Sequence, residues 1–317
     1  MYGYDNYQKV KAEIEKRRQN AIKLADERST EVRNKSEDIR IIDTELAKTG
    51  LLLFKTACDG GDISPIRKRN LELNENRRAI LKSFGYPEDY TEVKYTCTRC
   101  SDTGFVDINM CSCFRELLLK ENIKSSGIGN LIDRQSFENF SLAHFANDPD
   151  LHARMERNVN AAKDFAKNFP RVDKNLLLIG PTGTGKTHIS TAIAKEVIEK
   201  GYEVIYDSTQ NIISAFEADK FKSGYNTSYE PKGDKYLECD LLILDDLGTE
   251  FSNQFTVTCL YNLLNTRLNK GLSTVISTNL SPAELSEKYE DRIYSRIIGA
   301  DSRILLFSGK DRRINGK

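Results

Sequence analysis

No run of apolar residues in this chain approaches the roughly 18 that a membrane-spanning helix needs, so nothing in the sequence reads as a transmembrane segment. The first residues, Met1 to Val10, are polar and aromatic and lack the apolar stretch of a secretory signal, so the chain is expected to be cytoplasmic. An excess of either charge is also missing. Lys and Arg number 47 and Asp and Glu 47 among 317 residues, which gives no support for sequence-independent DNA binding by the chain as a whole and leaves room for a local basic patch. Tryptophan is absent, which excludes nothing. The seven cysteines are an odd count, and four of them cluster. That pattern points to a metal in a reducing compartment rather than a disulfide framework.

Glycine and proline are sparse from residue 5 to about 85, and apolar residues recur there at helical spacing: Val10 and Ile14, Ile22 and Ala25, then Ile39, Ile42 and Leu46. The segment Cys58-Asp59-Gly60-Gly61-Asp62 breaks the pattern. Ser64 and Pro65 then suit a helix start, and Gly85 and Pro87 a stop after about Ser83. The spacing predicts long helices folded back as a hairpin, either a solvated spacer or a partner-binding element.

The sequence Gly180-Pro181-Thr182-Gly183-Thr184-Gly185-Lys186-Thr187 fits the phosphate-binding pattern G-x-x-x-x-G-K-[ST]. The apolar run 176–179 precedes it as a buried strand, and a helical pattern from Ile189 to Ile198 follows. The glycines allow backbone N–H groups to surround a polyphosphate, and the helix N-terminus adds its positive dipole end. Lys186 is expected to reach the β/γ-phosphates of ATP and the Thr187 hydroxyl to hold Mg²⁺. Further strands are expected at 203–206, 241–244, 274–277 and 304–307, and the first four of the five strands are each followed by a helical pattern. This order predicts a parallel, doubly wound α/β sheet.

Residues 241–244 end in Asp245-Asp246. A carboxylate at a strand end beside the phosphate loop can reach Mg²⁺, which suits Asp245, while Asp246 is placed to orient or deprotonate a water. The strand 274–277 ends in Thr278-Asn279, and Asn279 can hydrogen-bond that water or the γ-phosphate. Arg292 and Arg296, four apart on one helix, are candidates for an arginine offered to a neighbouring subunit, and Arg312 and Arg313 form the last basic cluster.

Cys97-x₂-Cys100-x₁₀-Cys111-x-Cys113 offers four thiolates as two close pairs around the turn-forming Ser101-Asp102-Thr103-Gly104. Four sulfurs suit a closed, structural Zn²⁺ site, with an iron–sulfur cluster or unligated thiols as the other readings. Cys58, Cys239 and Cys259 are expected to be ordinary buried or partly buried thiols.

The loop ending Gly185-Lys186-Thr187-His188, the Asp245-Asp246-Leu247-Gly248 strand end, Ser277-Thr278-Asn279-Leu280 and Ser295-Arg296-Ile297-Ile298-Gly299 together resemble the AAA+ ATPases of the bacterial replicative helicase loaders, the DnaC/DnaI group, related to the IstB transposition helpers. The resemblance covers roughly residues 130–315. It implies an AAA+ P-loop core with a parallel sheet at 151–317, a helical helicase-interaction region at 1–94, a four-cysteine zinc module at 95–115, and a linker at 116–150. In that linker Phe137-Glu138-Asn139-Phe140 would lie near the adenine, with Phe140 contacting it. The resemblance also implies ATP/ADP held by residues 180–187 and His188, and a catalytic set of Lys186, Asp245, Asp246, Asn279 as first sensor and Arg296 as arginine finger. The second sensor falls at Arg312 or Arg313, with Arg313 the residue assigned to the nucleotide. The Asp-Asp ending, common in the loader group where most AAA+ proteins have Asp-Glu, implies slow hydrolysis, and the resemblance implies regulation by a partner or DNA. The implied partners are a hexameric replicative helicase, single-stranded DNA and, through the AAA+ part, further copies of the chain. Lys220 and Lys222 with Phe216, Phe221 and Tyr225 would suit the DNA strand, or equally a solvated face. A transposition helper acting on duplex DNA, or an adaptor that binds ATP without hydrolysing it, are the alternative functions.

Overall fold

Ser36 divides the N-terminal helical region. Helix α1 (Tyr4–Lys35) ends there, and the Ser36 hydroxyl accepts from the Ile39 N–H at 3.3 Å to cap α2 (Glu37–Cys58). The computed structural model describes residues 3–171, 175–222, 231–300 and 302–309. They fall into two compact units, residues 11–115 and residues 1–10 with 116–317.

In the first unit the break predicted at 58–62 is observed. Helix α3 (Ser64–Ser83) folds back and packs on α2, with Pro65 in its first turn. Val32, Ile39 and Leu81 are wholly buried where the helices meet. Glu31 on α1 accepts from the Tyr86 hydroxyl at 2.7 Å and the Tyr90 hydroxyl at 2.9 Å, tying the segment after α3 back to the helices. The Lys35 ammonium, with Tyr86 and Tyr90, holds the Glu31 carboxyl down at about 2. After α3 come two short antiparallel strands, β1 (Phe105–Val106) and β2 (Asn109–Met110), and then α4 (Ser112–Ser125), whose last ten residues belong to the second unit.

The second unit continues with α5 (Leu131–Arg134) and α6 (Pro149–Asn168), then β3 (Asn175–Ile179), α7 (Lys186–Glu199), β4 (Val204–Ser208), α8 (Thr209–Lys222) and α9 (Asp234–Glu238). It closes with β5 (Leu241–Leu247), α10 (Gln254–Lys270), β6 (Ser273–Thr278), α11 (Pro282–Lys288), α12 (Asp291–Ile298) and β7 (Ser302–Leu306). All five expected strands are present, four of them within two residues of the expected bounds and β5 running three residues further, to Leu247, and each of the first four leads into a helix. They form one sheet in the order β4-β5-β6-β3-β7, with every pairing parallel. This is the parallel α/β core, with a glycine-rich loop between β3 and α7, that the order of elements predicted.

The central strands are apolar on both faces because both faces are covered. Leu176 and Leu178 of β3 join one core, with Met155 and Phe165 of α6 and Ile189, Ile193 and Val197 of α7. Leu177 and Ile179 join the other, with Leu260, Leu263 and Leu264 of α10 and Ile293 and Ile297 of α12. Parallel strands thus share one orientation, and every strand's C-terminal end lies on the edge that carries residues 180–187.

A buried charge lies against this second core. Arg267 of α10 is fully buried, and its guanidinium donates to the carbonyls of Tyr236 (2.9 Å), Cys239 (3.0 Å) and Ser273 (2.6 Å) and to Thr274 Oγ1 (3.0 Å). These bonds fasten the α9–β5 turn to β6. Arg267→Met is expected to destabilise the unit by about 2 kcal/mol. Orphaning the carbonyls costs more than this, and no longer burying a charge offsets part of it. The shift of the urea midpoint at constant slope measures it.

Candidate functional site

The residues between β3 and α7 need glycine at two places. At Gly185, φ is +100°, and a Cβ there would stand 2.8 Å from the Phe140 ring. At Gly180 it would stand 2.2 Å from the Phe307 carbonyl oxygen. The backbone can therefore turn tightly between β7 and Phe140, leaving the N-terminus of α7 facing outward. Lys186 is 6% exposed, and its ammonium donates to the carbonyls of Gly180 (2.6 Å) and Pro181 (2.8 Å) within the loop. The Thr184 hydroxyl also donates to the Pro181 carbonyl, at 2.8 Å.

The two aspartates at the end of β5 do different things, and a bulge separates them. Leu241 to Leu244 pair in step with Ser273 to Ile276, but Leu247 pairs with Thr278, so β5 carries one extra residue at this point. Asp245 stays inside, 7% exposed, whereas Asp246 adopts φ +54° and its side chain turns out to the surface. Asp245 is held by three hydroxyls. Tyr206 of β4 and Thr187 of α7 (3.5 Å) donate to Oδ2, and Ser277 of β6 donates to Oδ1. Burial, then the nearby Asp245 charge, pushes the Tyr206 hydroxyl well above the usual tyrosine range, so it remains a donor. The Ser277 hydroxyl also accepts from the Asp246 N–H at 3.0 Å, and Thr209 Oγ1 donates to the Asp245 carbonyl at 3.1 Å. The Thr187 hydroxyl and the Asp245 carboxylate are hard oxygen ligands held side by side, a donor set that fits Mg²⁺.

A pocket of about 220 Å³ lies over this loop, lined by Thr182, Gly183, Gly185, Lys186, Thr187, His188, Asp246 and Gln135. Phe140 is not in its wall. It packs edge-on against the His188 ring, centroids 5.1 Å apart, and the His188 Nε2 is 2.8 Å from the Ser136 carbonyl oxygen. The segment 135–140 is thereby fixed to the first turn of α7.

Asn279 is exposed one residue past β6, whose last residue, Thr278, pairs with Ile179 and accepts from the Gly180 N–H at 3.1 Å. Asn279 therefore stands beside the start of the loop. Arg296 lies on α12, with its guanidinium 4.4 Å from the centroid of the Tyr261 ring and donating to Asn265 Oδ1 (2.9 Å) and the Tyr261 hydroxyl (3.1 Å). It faces α10 of its own chain. Arg312, Arg313 and Tyr225, and the side chain of Lys222, lie outside the described residues. On α8, Phe221 is 68% exposed and Lys220 reaches the Phe255 ring at 5.0 Å, while Phe216 packs partly buried beside Tyr236.

In the other unit, the sulfurs of Cys97, Cys100, Cys111 and Cys113 lie within 4.8 Å of one another, with Cys97–Cys111 at 3.8 Å and Cys100–Cys113 at 3.5 Å. Tetrahedral Zn²⁺ with bonds of about 2.3 Å puts its sulfurs about 3.8 Å apart, so the spacing fits a single ion. A multi-iron cluster would hold them farther apart. The buried Asp102 shapes the first knuckle by accepting from the N–H groups of Thr96 (2.7 Å) and Cys97 (2.9 Å). Cys239 and Cys259 are buried, as expected, whereas Cys58 is exposed.

Sequence reasoning missed Tyr206, Thr209, Ser277 and Gln135. Only Ser277 left a signal, as a hydroxyl following the apolar pair Val275-Ile276 near the end of the strand that precedes Asn279.

Comparison with known proteins gives a consistent result. The family model described as "IstB-like ATP binding protein" matches residues 126–301, just over half the chain. The replicative helicase loader DnaC of Buchnera aphidicola subsp. Baizongia pistaciae (strain Bp) is 26% identical over 183 residues, 58% of this chain and 71% of that protein. The replicative helicase loader DnaC of Escherichia coli (strain K12) is 24% identical over 205 residues, 64% of this chain and 80% of that protein. A crystal structure of the DnaC helicase loader covers 56% of this chain and 98% of its own, with a TM-score of 0.48 and 22% identity.

Proposed function

This chain belongs to the IstB-like ATP-binding protein family, and from that premise we propose that it is an ATP-dependent loader that binds a hexameric replicative helicase and delivers it onto single-stranded DNA. The observation that carries the reading is that the chain has both a pocket over the loop 182–188 and a separate unit, residues 11–115, that presents apolar side chains to solvent. Relatives carrying the name replicative helicase loader, matched over most of their length, support it.

The pocket takes ATP·Mg²⁺. Lys186 would bind the β/γ-phosphates, Thr187 and Asp245 would hold the metal ion, and His188, braced from behind by Phe140, would stand on the adenosine side. Asp246, turned outward by the bulge, orients or deprotonates the attacking water, with Asn279 beside it. Its carboxylate is one methylene shorter than glutamate, so turnover is slow; we propose that a partner or DNA regulates it. Arg296 is the finger offered to a neighbouring copy, exchanging its bonds to Asn265 and Tyr261 for the γ-phosphate on assembly. Arg312 or Arg313 supplies the second sensor. Exposed Lys220 and Phe221 of α8 serve the DNA strand by charge and stacking. No helix among the described residues is long and apolar enough to cross a membrane. The setting we propose is the cytoplasm.

The helical region before residue 94 and the Zn²⁺-holding module at 95–115 dock on the helicase. Helix α2 leaves Leu51 75%, Leu52 52% and Phe54 72% exposed. A groove of about 390 Å³ between α2 and α3 is lined by Ile41, Ile42, Ala79 and Ile80, with Asp38 and Asn76. Leu51→Glu with Phe54→Glu is expected to weaken the helicase complex by about 2 kcal/mol or more while ATP affinity stays unchanged. Native mass spectrometry with the replicative helicase of the same host, with and without ATP, reads the result. No complex with the unaltered protein in any nucleotide state would favour the second reading, a transposition helper acting on duplex DNA, which the name of the family model supports. A complex that forms with no turnover under any condition would favour the non-hydrolysing adaptor.

A further inference from the structure

We propose that Ser277 is a positioning residue of the nucleotide site, its one hydroxyl setting Asp245 as the metal ligand and Asp246 as the outward carboxylate. This rests on the reading of Thr187 and Asp245 as the residues that hold Mg²⁺.

Ser277 stands where the two aspartates part. Leu244 pairs with Ile276 and Leu247 with Thr278, so Asp245 and Asp246 both lie opposite the single residue Ser277. A bulge of this kind takes backbone groups out of the ladder, and they need other partners. The Asp246 N–H finds one in the Ser277 hydroxyl oxygen, at 3.0 Å. That bond holds Asp246 at φ +54°, a left-handed conformation uncommon outside glycine, with its side chain at the surface. The same hydroxyl gives its proton to Asp245 Oδ1. A serine hydroxyl has one proton to donate and lone pairs to accept with, and here each serves a different aspartate. The orientation of one carboxylate and the backbone turn that expels the other are therefore set by the same oxygen atom.

The Asp245 carboxylate is gripped from the strands on either side of β5. Ser277 of β6 donates to Oδ1, and Tyr206 of β4 donates to Oδ2. The two bonds fix the plane of the carboxylate, with Oδ2 3.5 Å from the Thr187 hydroxyl. Without the serine hydroxyl, Oδ1 loses its donor and the carboxylate can turn about its own bond. Ser277 is wholly buried, so bulk solvent does not share this task. Groups that hydrogen-bond a metal-holding carboxylate act on the metal through it, and losing one costs about 10- to 100-fold in metal affinity.

The test measures ATP dissociation constants by isothermal titration, once with Mg²⁺ and once in EDTA, for the full chain and for Ser277→Ala. The ratio of the two constants is what Mg²⁺ adds to ATP binding. The unaltered protein is expected to bind ATP more tightly with Mg²⁺. Ser277→Ala is expected to cut that advantage by about 10- to 100-fold, or to abolish it where it is smaller. Affinity in EDTA is expected to stay within a factor of about three, because the Lys186 ammonium and the loop N–H groups act on the phosphates directly. A Ser277→Ala variant that keeps the advantage would overturn the proposal. So would one that loses affinity by the same factor with and without Mg²⁺, the mark of a residue that only supports the fold. An unaltered protein that gains nothing from Mg²⁺ would instead overturn the metal site at Thr187 and Asp245, and one that binds ATP in neither condition the nucleotide site itself. A thermal melt checks that Ser277→Ala folds. If it does not, Ser277→Cys, similar in size and a weak donor, is read by the same ratio, with a smaller loss expected and an unchanged ratio counting against the proposal.

Discussion

Lys186→Ala is expected to weaken ATP binding by about 3–5 kcal/mol, roughly 100- to 5,000-fold in Kd, while leaving the fold intact. The size follows from where the ammonium is. It is 6% exposed, at the base of a loop whose backbone surrounds the phosphate position, and its present partners include two carbonyls of that loop. A triphosphate brings several negative charges to this place, and no other Lys or Arg among the described residues lines the pocket. Removing the ammonium therefore leaves buried phosphate oxygens facing only backbone N–H groups and the helix dipole, which is worth less than a full charge. Folding depends on it little, because Lys186 itself lines the open pocket, and water entering where its side chain was can serve the Gly180 and Pro181 carbonyls. Isothermal titration with ATP measures the loss, and a melting temperature near that of the unaltered protein shows it is local. A Kd unchanged within a factor of about three would remove Lys186 from the phosphate site.

The sheet was readable from the sequence because its central strands are buried on both faces. Runs such as Leu176-Leu177-Leu178-Ile179 and Leu241-Leu242-Ile243-Leu244 are uninterrupted by polar residues and end at loops rich in glycine or aspartate. Their C-terminal ends carry the loop at 180–187, Asp245 and Asn279, and parallel pairing brings these onto one edge without further information. The glycines were equally legible, since Gly185 against Phe140 leaves no room for a side chain.

What stayed hidden depended on register and on partners far apart in sequence. One extra residue in β5 decides that Asp245 faces inward and Asp246 outward, and no residue type announces that bulge. Tyr206 reaches Asp245 only because β4 pairs with β5, so that Ser208 lies opposite Asp245 and Tyr206 opposite Ile243. The break at Ser36 was obscured because helical periodicity continues on both sides of it. The strands β1 and β2 are too short for any period to show, and their turn is set by the cysteine pairs around it. Arg296 illustrates the limit for single residues: spacing placed it on a helix, but its stacking on Tyr261 needed the packing of α12 against α10.

Removing the metal from the cysteine cluster is the second experiment with a large expected effect. The segment 95–115 has two-residue strands, and few of its apolar residues are buried: Cys100, Cys111 and Phe114, with Ile108 94% exposed at the hairpin tip. So small a core is a weak support for a turn in which Ser101 and Asp102 both sit at positive φ, and the proposed ion would supply the missing free energy. Structural Zn²⁺ in such sites contributes roughly 10–16 kcal/mol of apparent binding free energy, more than the stability of an ordinary domain. Protein purified without added metal is therefore expected to carry one equivalent of zinc, and Cys100→Ser, which removes a buried ligand, to carry less than half. Limited proteolysis of that variant should open the chain within 95–115. ATP titration should be unchanged, since Lys186, Thr187 and Asp245 lie in the other unit. Helicase binding should be lost with the zinc if the module docks as proposed. A Cys100→Ser protein that keeps its zinc, or that loses it with no change in proteolysis, would show that the four sulfurs are not a structural metal site. Iron in place of zinc at one equivalent would keep the tetrahedral geometry and correct only the identity of the ion.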